Sequence, residues 1–337
     1  MKAAIVTQYN KNDLTLKMTT VDKPQITADQ VLLKVSAAGV NPLDNMITRG
    51  EVKLIVPYKL PVIGGNEVVG KIEAVGANVT QFSVGERVFS RLPLDSIGAF
   101  AQYVAVDANA IAKVPPYLSD VQAAAIPLTA LTVMQAFELM QVKKGNTIFI
   151  SGGTGGVGAM AIPLAKAKGL KVITNGSVEN KERVLALGVD RFIDYKTEDY
   201  TQTVANVDYV LDTLGGQETE KQMTIMKKGG QLVSLKGMPN GAFAKRMGFT
   251  GLKRLLFSFA GRKFDKMAQK YGVTYNFIFV QANGAQLTEV AKLFTKLELK
   301  PSLDTVYAFS DVNAALDKVA NGRSCGKTVL DLQQGEK

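Results

Sequence analysis

A glycine-rich segment between an apolar run and a helical pattern constrains this chain more than any other feature. Residues 147–158 read Thr-Ile-Phe-Ile-Ser-Gly-Gly-Thr-Gly-Gly-Val-Gly and contain a G-x-G-x-x-G motif. A turn without side chains lets the main chain touch a pyrophosphate, and the helix that follows points its N–H groups at that charge. Because the motif lies between a strand and a helix, it predicts dinucleotide binding rather than a purely structural turn. The expected contacts are Gly153, Gly155, Gly156 and Val157.

Strand and helix patterns alternate around this loop, from about residue 124 to residue 281. The candidate strands are short β-branched or aromatic runs without clean alternation, as expected of strands buried on both faces of a sheet. These runs are Thr147–Ser151, Lys171–Asn175, Arg191–Tyr195, Val207–Thr213, Gln231–Leu235 and Asn276–Val280. Six strands with helical crossovers predict an α/β fold with a doubly wound, six-stranded parallel sheet.

The residues before about position 120 follow a different pattern, in which short strand candidates are separated by turn signals. Such spacing predicts a mainly β, barrel-like domain. After residue 282 the chain offers two helices with a short strand between them, and then a final strand, Lys327–Leu332. These elements are too few to fold alone. We therefore predict one domain from residues 1–123 and 282–337, and a second domain from residues 124–281.

The chain contains no histidine and one cysteine. Catalysis by a Ser-His-Asp or Cys-His couple is therefore excluded, and a zinc ion would have only Cys325 and carboxylates as ligands. A single cysteine rules out an internal disulfide and indicates a reducing compartment, so we expect a cytoplasmic protein. The first residues lack the apolar stretch of a signal peptide, and we expect no apolar run long enough to span a membrane.

The net charge of +10 is concentrated in one segment. Between Lys245 and Lys270 eight cations accompany one acidic residue, so this segment supplies +7 of the total. A general nucleic-acid-binding surface is therefore not indicated. Residues 241–270 also contain many Phe and Leu side chains, which predicts basic, amphipathic helices. They are interpreted as helices packed on their own domain, as a cover over the substrate, or as a membrane-surface contact.

Six short segments follow one another at spacings typical of a known family. They are Ala37–Asp44, Gly64–Gly70, Val84–Val88, Pro127–Thr132, the glycine-rich loop and Gly322–Lys327. In these segments the chain resembles the zinc-independent medium-chain dehydrogenases and reductases, in their quinone oxidoreductase-like branch. The resemblance covers nearly the whole chain. It implies a Rossmann dinucleotide-binding domain and a GroES-like catalytic domain. It also implies that the protein is an oxidoreductase and, like most relatives, a homodimer.

Zinc-dependent relatives in that family carry a cysteine near position 41 and a histidine in a Gly-His-Glu motif. This chain has Asn41 and Asn66 at those places. The relatives also carry a cysteine-rich lobe for a structural zinc, which nothing in this sequence matches. Composition and resemblance together predict a site without a metal ion.

The end of the second strand favours NADPH over NADH. NAD-binding sites usually place a carboxylate there to hold the ribose 2′-hydroxyl. Here Ser177, Asn180 and Lys181 follow the strand, with hydrogen-bonding groups and a cation suited to a 2′-phosphate. Glu179 adds negative charge nearby, and a polar loop with a solvated lysine is the alternative interpretation.

Further cofactor contacts are implied by the resemblance alone. Tyr195 matches a tyrosine that the family uses at the 2′-phosphate, and Arg323 or Lys327 helps there. Thr132 is expected to touch the cofactor near the interdomain cleft. The nicotinamide end is expected to be lined from later strand ends by Leu214, Leu235, Phe279 and Val280. The apolar character of the last two residues fits a core strand equally well.

Reduction of a quinone, or of a C=C bond conjugated to a carbonyl, places negative charge on oxygen, which nearby donors stabilise. The substrate-pocket candidates are Asn41, Tyr58 and Asn66. Asn41 and Asn66 are equally consistent with local turns, and Tyr58 with an aromatic wall. No catalytic acid is assigned, and solvent is an alternative source of the proton.

These observations predict an NADPH-dependent reductase of quinones or α,β-unsaturated carbonyls, with a small-molecule substrate and no metal. Two alternatives stay open. One is a trans-2-enoyl thioester reductase, although Glu51-Val52-Lys53 stands where some such relatives place a tyrosine. The other is a nucleotide-binding redox sensor without turnover.

Overall fold

The structure, a computed structural model, describes residues 1–322 and 326–334. It divides into two compact units. The first unit comprises Met1–Leu131 and Gln281–Lys337, and the second comprises Thr132–Val280. The functional domain bounds predicted from the sequence stay a prediction.

Strands and helices are distributed along the chain as follows. The strands are β1 (Lys2–Val6), β2 (Lys17–Thr20), β3 (Gln30–Val40), β4 (Val62–Ile63), β5 (Glu67–Val75), β6 (Arg87–Arg91), β7 (Tyr103–Asp107), β8 (Ile111–Lys113), β9 (Thr147–Ile150), β10 (Lys171–Gly176), β11 (Arg191–Asp194), β12 (Val207–Asp212), β13 (Met226–Ser234), β14 (Thr274–Phe277), β15 (Leu303–Ala308) and β16 (Lys327–Asp331). The helices are α1 (Pro42–Thr48), α2 (Asp120–Ala123), α3 (Pro127–Met140), α4 (Gly156–Ala167), α5 (Lys181–Leu185), α6 (Tyr200–Thr203), α7 (Gln217–Thr224), α8 (Gly241–Arg246), α9 (Gly251–Tyr271), α10 (Gly284–Leu297) and α11 (Val312–Asn321). Short 3₁₀ turns lie at Ala108–Ala110, Val178–Asn180 and Phe309–Asp311.

The first unit is built on β-sheets. In the described part of the chain, a seven-stranded sheet runs in the order β15-β16-β3-β5-β6-β8, with β7 also paired to β3. A three-stranded sheet has the order β2-β1-β4. Their apolar faces enclose one core, which includes Leu33, Val68, Ile72, Phe100 and Leu330. The C-terminal strand β16 pairs antiparallel with β3, so the end of the chain completes the sheet that begins near residue 30.

The second unit contains the predicted parallel sheet. Its described strands have the order β11-β10-β9-β12-β13-β14, and every neighbouring pair is parallel. Strand β12 is buried along its whole length, as expected of a central strand covered on both faces. The strand order reverses beside β9, and ligands bind doubly wound sheets at such a switch point, outside the carboxyl ends of the strands. The Rossmann prediction is confirmed.

The sixth strand differs from its predicted bounds. We expected Asn276–Val280, whereas β14 spans Thr274–Phe277. The physical reason is its neighbour: β13 ends at Ser234, which pairs with Phe277, so residues beyond Phe277 have no strand to pair with. Phe279 and Val280 therefore lie just past the carboxyl end of β14 rather than within it.

One apolar stretch departs from the sequence expectation. Asp120–Met140 is long and apolar enough to cross a membrane by length and composition. It is interrupted between α2 and α3, and 83% of its apolar window is buried inside the protein. A core helix meets the same criteria, so we interpret this stretch as part of the interior.

Candidate functional site

The carboxyl edge of the parallel sheet collects most of the predicted cofactor residues. Because all six strands run in the same direction, the segments that follow them emerge at one edge. The glycine-rich loop follows β9. Residues predicted from the sequence follow the other strands and are Ser177 after β10, Tyr195 after β11, Leu214 after β12, Leu235 after β13, and Phe279 and Val280 after β14. Thr132 lies on α3 and is 6% exposed.

The glycines of the loop have different structural roles. A Cβ atom on Gly153 would lie 2.1 Å from Oγ1 of Thr174, and one on Gly158 would lie 2.4 Å from the Gly152 carbonyl oxygen. Gly152 has a φ of +65°, which an L side chain rarely adopts. These three positions therefore need glycine for folding. At Gly155 a Cβ would meet only the Gly152 carbonyl oxygen, at 3.5 Å, so packing alone does not require glycine there.

The loop is held in place by its neighbours. The Gly152 N–H donates to Oδ1 of Asn175 at 2.8 Å, and Arg183 donates from Nη2 to the Thr154 carbonyl oxygen at 2.7 Å. Gly155 is the N-cap of α4 and carries no side chain that could bond to the first helical turn. The first N–H groups of a helix have no intrahelical partner, so this end of α4 suits an anion. The loop therefore fits the pyrophosphate of a dinucleotide.

The segment after β10 carries the groups predicted at a 2′-phosphate. Asn180 donates from Nδ2 to Oγ of Ser177 at 3.2 Å, and Lys181 is exposed at the start of α5. Tyr195, after the neighbouring strand, is 59% exposed. This edge of the sheet therefore offers hydroxyl, amide and ammonium groups to solvent.

The carboxylate of Glu179 is paired with an exposed lysine. Lys196 forms an ion pair with Glu179 at 2.9 Å, and this hydrogen bond lowers the pKa of Glu179 to about 2. Arg183, which contacts the glycine loop, also lies 3.4 Å from Oδ1 of Asn180. Sequence reasoning missed both cations. Their positions shortly after predicted strand ends were the available signal.

A buried carboxylate shapes the turn that presents Leu214. Asp212, at the end of β12, accepts hydrogen bonds from the N–H groups of Leu214 at 3.1 Å and Gly215 at 2.8 Å. Its other oxygen accepts from the hydroxyls of Thr219 at 2.7 Å and Ser234 at 2.8 Å. The turn is thus fixed from inside, and Leu214 is left 43% exposed at the sheet edge.

The first unit contains a buried ionic cluster that the sequence did not reveal. Lys327, at the start of β16, pairs through Nζ with Oε2 of Glu67 at 2.5 Å, and the two side chains are 7% and 0% exposed. Lys327 also donates to Oδ1 of Asn41, and Nδ2 of Asn41 donates to Oε2 of Glu67 at 3.1 Å. The Leu128 N–H donates to the remaining Glu67 oxygen at 2.8 Å. Every charged oxygen and the ammonium in this cluster therefore have partners.

Glycine at position 39 makes room for the cluster. Gly39 on β3 is paired with Glu67 on β5, and a Cβ there would lie 2.3 Å from Oε2 of Glu67. The same Cβ would lie 2.6 Å from the Ala124 carbonyl oxygen. A side chain at position 39 would therefore displace the carboxylate from Lys327.

Asp44 joins the cluster to Asn66. Its carboxylate accepts from the Asn41 N–H and from Nδ2 of Asn66, each at 2.7 Å. Burial raises the pKa of Asp44 to about 6, against the lowering effect of these hydrogen bonds.

Two side chains beside the cluster hold buried donor groups that have no hydrogen-bond partner in the described residues. Within the described residues, the Tyr58 hydroxyl and the Nε and Nη2 groups of Arg91 are buried and have no hydrogen-bond partner. Arg91 is 0% exposed and lies opposite Glu67 in the β5–β6 pairing. Burial lowers the pKa of Arg91 to about 10 and raises the pKa of Tyr58 to about 12, so both groups keep their protons at neutral pH. Arg91 is a further residue that sequence reasoning missed.

Two predictions concern the C-terminal segment. Arg323, expected at the 2′-phosphate, lies outside the described residues, as does Cys325. Lys327 has its ammonium committed to Glu67 and Asn41 within the first unit. A role for Lys327 at the 2′-phosphate stays a prediction.

The ionic cluster does not fit a divalent metal ion. The positions that hold metal ligands in zinc-dependent relatives carry the amides of Asn41 and Asn66. The adjacent carboxylate of Glu67 is already paired with an ammonium group. Over residues 1–322 and 326–334, no group of three or more His, Cys, Asp or Glu side chains could hold a metal ion. Zinc prefers imidazole, thiolate and free carboxylate ligands, which this cluster does not supply.

Comparison with known proteins gives family matches in both units. Residues 27–116 match the family described as "Alcohol dehydrogenase GroES-like domain", and residues 187–330 match the family described as "Zinc-binding dehydrogenase". The 2-methylene-furan-3-one reductase of Solanum lycopersicum is 30% identical, over 98% of this chain and 79% of that protein. The NADPH-dependent alkenal/one oxidoreductase of Arabidopsis thaliana, a chloroplastic protein, is 32% identical over 70% of this chain and 63% of its own.

A solved structure extends the similarity to the whole fold. The quinone oxidoreductase from Coxiella burnetii has a TM-score of 0.83 and 27% sequence identity, and the match covers 98% of this chain and 99% of that one. Together with the two sheets and the glycine-rich loop, these matches confirm the resemblance seen in the sequence. The chain belongs to the medium-chain dehydrogenase/reductase superfamily, in the branch of the quinone and alkenal oxidoreductases.

Proposed function

We propose that this protein is an NADPH-dependent oxidoreductase that transfers hydride to a quinone or to the C=C bond of an α,β-unsaturated carbonyl, without a metal ion. The observation that carries the proposal is the glycine-rich loop at the switch point of the parallel sheet, open at Gly155. The activities named for the tomato, Arabidopsis and Coxiella proteins support the reaction class.

NADPH, when bound, supplies the hydride. The residues of the chain bind and orient the cofactor. We propose that Gly153, Gly155, Gly156 and Val157 bind the pyrophosphate through the main chain, with Thr132 as a further contact. Leu214, Leu235, Phe279 and Val280 are proposed to flank the nicotinamide with apolar groups, because all four lie after strands at the same sheet edge. An apolar lining excludes water from a hydride-transfer site.

The preference for the phosphorylated cofactor is assigned to the segment after β10. We propose that Ser177, Asn180, Lys181 and Tyr195 bind the 2′-phosphate, with Arg323 as a further candidate. The ion pair between Glu179 and Lys196 supports this assignment, since it partly offsets the one negative charge that opposed it. The name of the Arabidopsis relative, which specifies NADPH, points to the same cofactor.

We propose that Tyr58 and Arg91 donate hydrogen bonds to the substrate oxygen that becomes negative during reduction. Both are buried and protonated at neutral pH, and both hold donors without a partner in the described part of the chain. Asn66, whose Oδ1 is also unpartnered there, remains a substrate-pocket candidate. The side-chain amide of Asn41 is already hydrogen-bonded to Glu67 and Lys327. We therefore propose that Asn41 positions these two side chains and does not contact the substrate.

The oligomeric state and the cellular compartment are proposed from the sequence. We propose a homodimer, as is common in the family, in a reducing cytoplasm, as the single cysteine indicates. The chloroplastic location in the name of one relative applies to that protein.

The proposed function predicts turnover that depends on Tyr58. With NADPH and a panel of a quinone, an alkenal and a crotonyl thioester, we expect loss of nicotinamide absorbance with the quinone or the alkenal. Tyr58→Phe is expected to lower kcat/KM by about tenfold to hundredfold, because it removes one donor to the developing oxyanion. Tyr103→Phe, on β7, is the matched control and should leave kcat/KM unchanged. Turnover of the thioester alone, or of none of the three, would contradict the assignment.

If these residues bind the 2′-phosphate, removing one of them should lower kcat/KM for NADPH but not for NADH. Lys181→Ala is expected to lower kcat/KM for NADPH by about tenfold and to leave kcat/KM for NADH unchanged, because only NADPH carries the phosphate. Lys171→Ala, an exposed lysine at the opposite end of β10, is the control. Equal losses with both cofactors, or a wild-type preference for NADH, would refute the assignment.

Because Lys327 and Glu67 form a buried ion pair, we expect their contributions to the free energy of unfolding to be strongly coupled. Lys327→Met should reduce the free energy of unfolding by about 3–5 kcal/mol, because it leaves a buried carboxylate unpaired. The double variant Lys327→Met/Glu67→Gln should recover at least half of that loss. Lys166→Met, which breaks an exposed pair with Asp190, should cost less than about 1 kcal/mol. Additive effects in urea unfolding would show that the pair is not coupled.

A further inference from the structure

Helix α9 exposes four large apolar side chains to solvent. Leu252 is 73% exposed, Leu255 67%, Leu256 53% and Phe259 78%. Their spacing of three and four residues places them on one face of the helix, where they form a single apolar patch. Isolated exposed apolar residues are ordinary, but a contiguous patch of this kind marks an interaction site.

The opposite face of α9 fixes the orientation of this patch. The Phe257 ring packs edge-on against Phe243, with 5.8 Å between centroids, and Phe264 stacks on Tyr275 at 5.0 Å. A Cβ on Gly261 would lie 2.5 Å from the backbone of the residue that caps α8. This close packing seats the helix on the second unit, so the apolar patch cannot turn inward.

The same outward face becomes basic in the following turns. Arg262, Lys263, Lys266 and Lys270 continue the three- and four-residue spacing and are exposed. Lys270 is paired with Glu220 at 3.2 Å. Residues 245–270 carry +7 of the net charge of +10. One helix face therefore presents apolar side chains first and cations next to them.

We propose that this face of α9 binds the surface of an anionic phospholipid membrane. Apolar side chains at the headgroup boundary and cations against lipid phosphates form the usual contact of an interfacial helix. A second copy of the chain is the other candidate occupant. A two-fold interface would place the same cations against themselves, and like charges repel, whereas an anionic membrane offers opposite charge. None of the residues on this face is among those proposed for the cofactor or the substrate, so vesicle binding and turnover are measured separately.

Sedimentation with vesicles tests the proposal on the full-length protein. We expect binding to phosphatidylglycerol-containing vesicles at low salt, release at high salt, and no binding to pure phosphatidylcholine. Leu255→Gln/Phe259→Gln and Lys263→Gln/Lys266→Gln should each weaken binding by about tenfold. Lys292→Gln/Lys296→Gln, with the same charge change on α10, is the control and should bind as the wild type does.

Three results would overturn the proposal. The first is no sedimentation of the wild type with anionic vesicles at low salt. The second is undiminished binding by Leu255→Gln/Phe259→Gln, which would place the contact elsewhere. The third is a wild-type dimer in light scattering that this variant converts to a monomer while vesicle binding is unchanged, which would assign the patch to a second copy. The substituted side chains are exposed, so melting temperatures should match the wild type and are measured alongside.

Discussion

The absence of side chains where β9 turns into α4 is the constraint on which the whole proposed cofactor site depends. Three of the glycines are needed by the fold itself, because side chains there would strike Thr174 or the loop backbone, or would strain the turn. Gly155 is different, since nothing in the packing forbids a methyl group. Packing does not require glycine at this position, so its presence is explained by a ligand that approaches the main chain closely. The sheet order, the switch point and the cations after β10 all gain their functional meaning from that contact.

The first unit replaces metal coordination with a buried ion pair. In zinc-dependent relatives the equivalent region is organised around a cation, and here the ammonium of Lys327 contacts both Asn41 and Glu67. Pairing satisfies the Glu67 carboxylate, and Gly39 provides the space for it. Arg91 is left as a buried cation with free donors in the described structure. Nη1 of Arg91 donates to the Leu92 carbonyl oxygen, but Nε and Nη2 are buried donors without partners among the described residues. Leaving them unpaired is costly, which favours a role in binding a substrate oxygen over a purely structural one.

Sequence patterns predicted the fold well because they report local physics. Buried β-branched runs between helical patterns identified the parallel strands. Two of them have clearly different bounds: β13 begins at Met226 rather than Gln231, and β14 ends at Phe277 because its partner β13 ends at Ser234. The ionic cluster could not be predicted from local patterns, because Asn41 follows β3 while Glu67 and Lys327 come from β5 and β16, which pair with β3 on its two sides. Arg91 lies at the end of β6, and its complete burial is a tertiary property that no local pattern reports. The exposed face of α9 was visible only as composition, since helical spacing alone does not say which face packs inward.

Titration of NADPH into Gly155 variants measures whether the bare main chain of this turn holds the cofactor. The dissociation constant is measured by the change in nicotinamide fluorescence, with the melting temperature as the check on folding. We expect a graded loss of affinity, small for Gly155→Ala and about tenfold or more for Gly155→Val. The melting temperature should fall by only about 2–4 °C, because Ala and Val are poorer N-cap residues than Gly. NADPH affinity equal to that of the wild type in both variants would show that the main chain at this turn does not hold the cofactor.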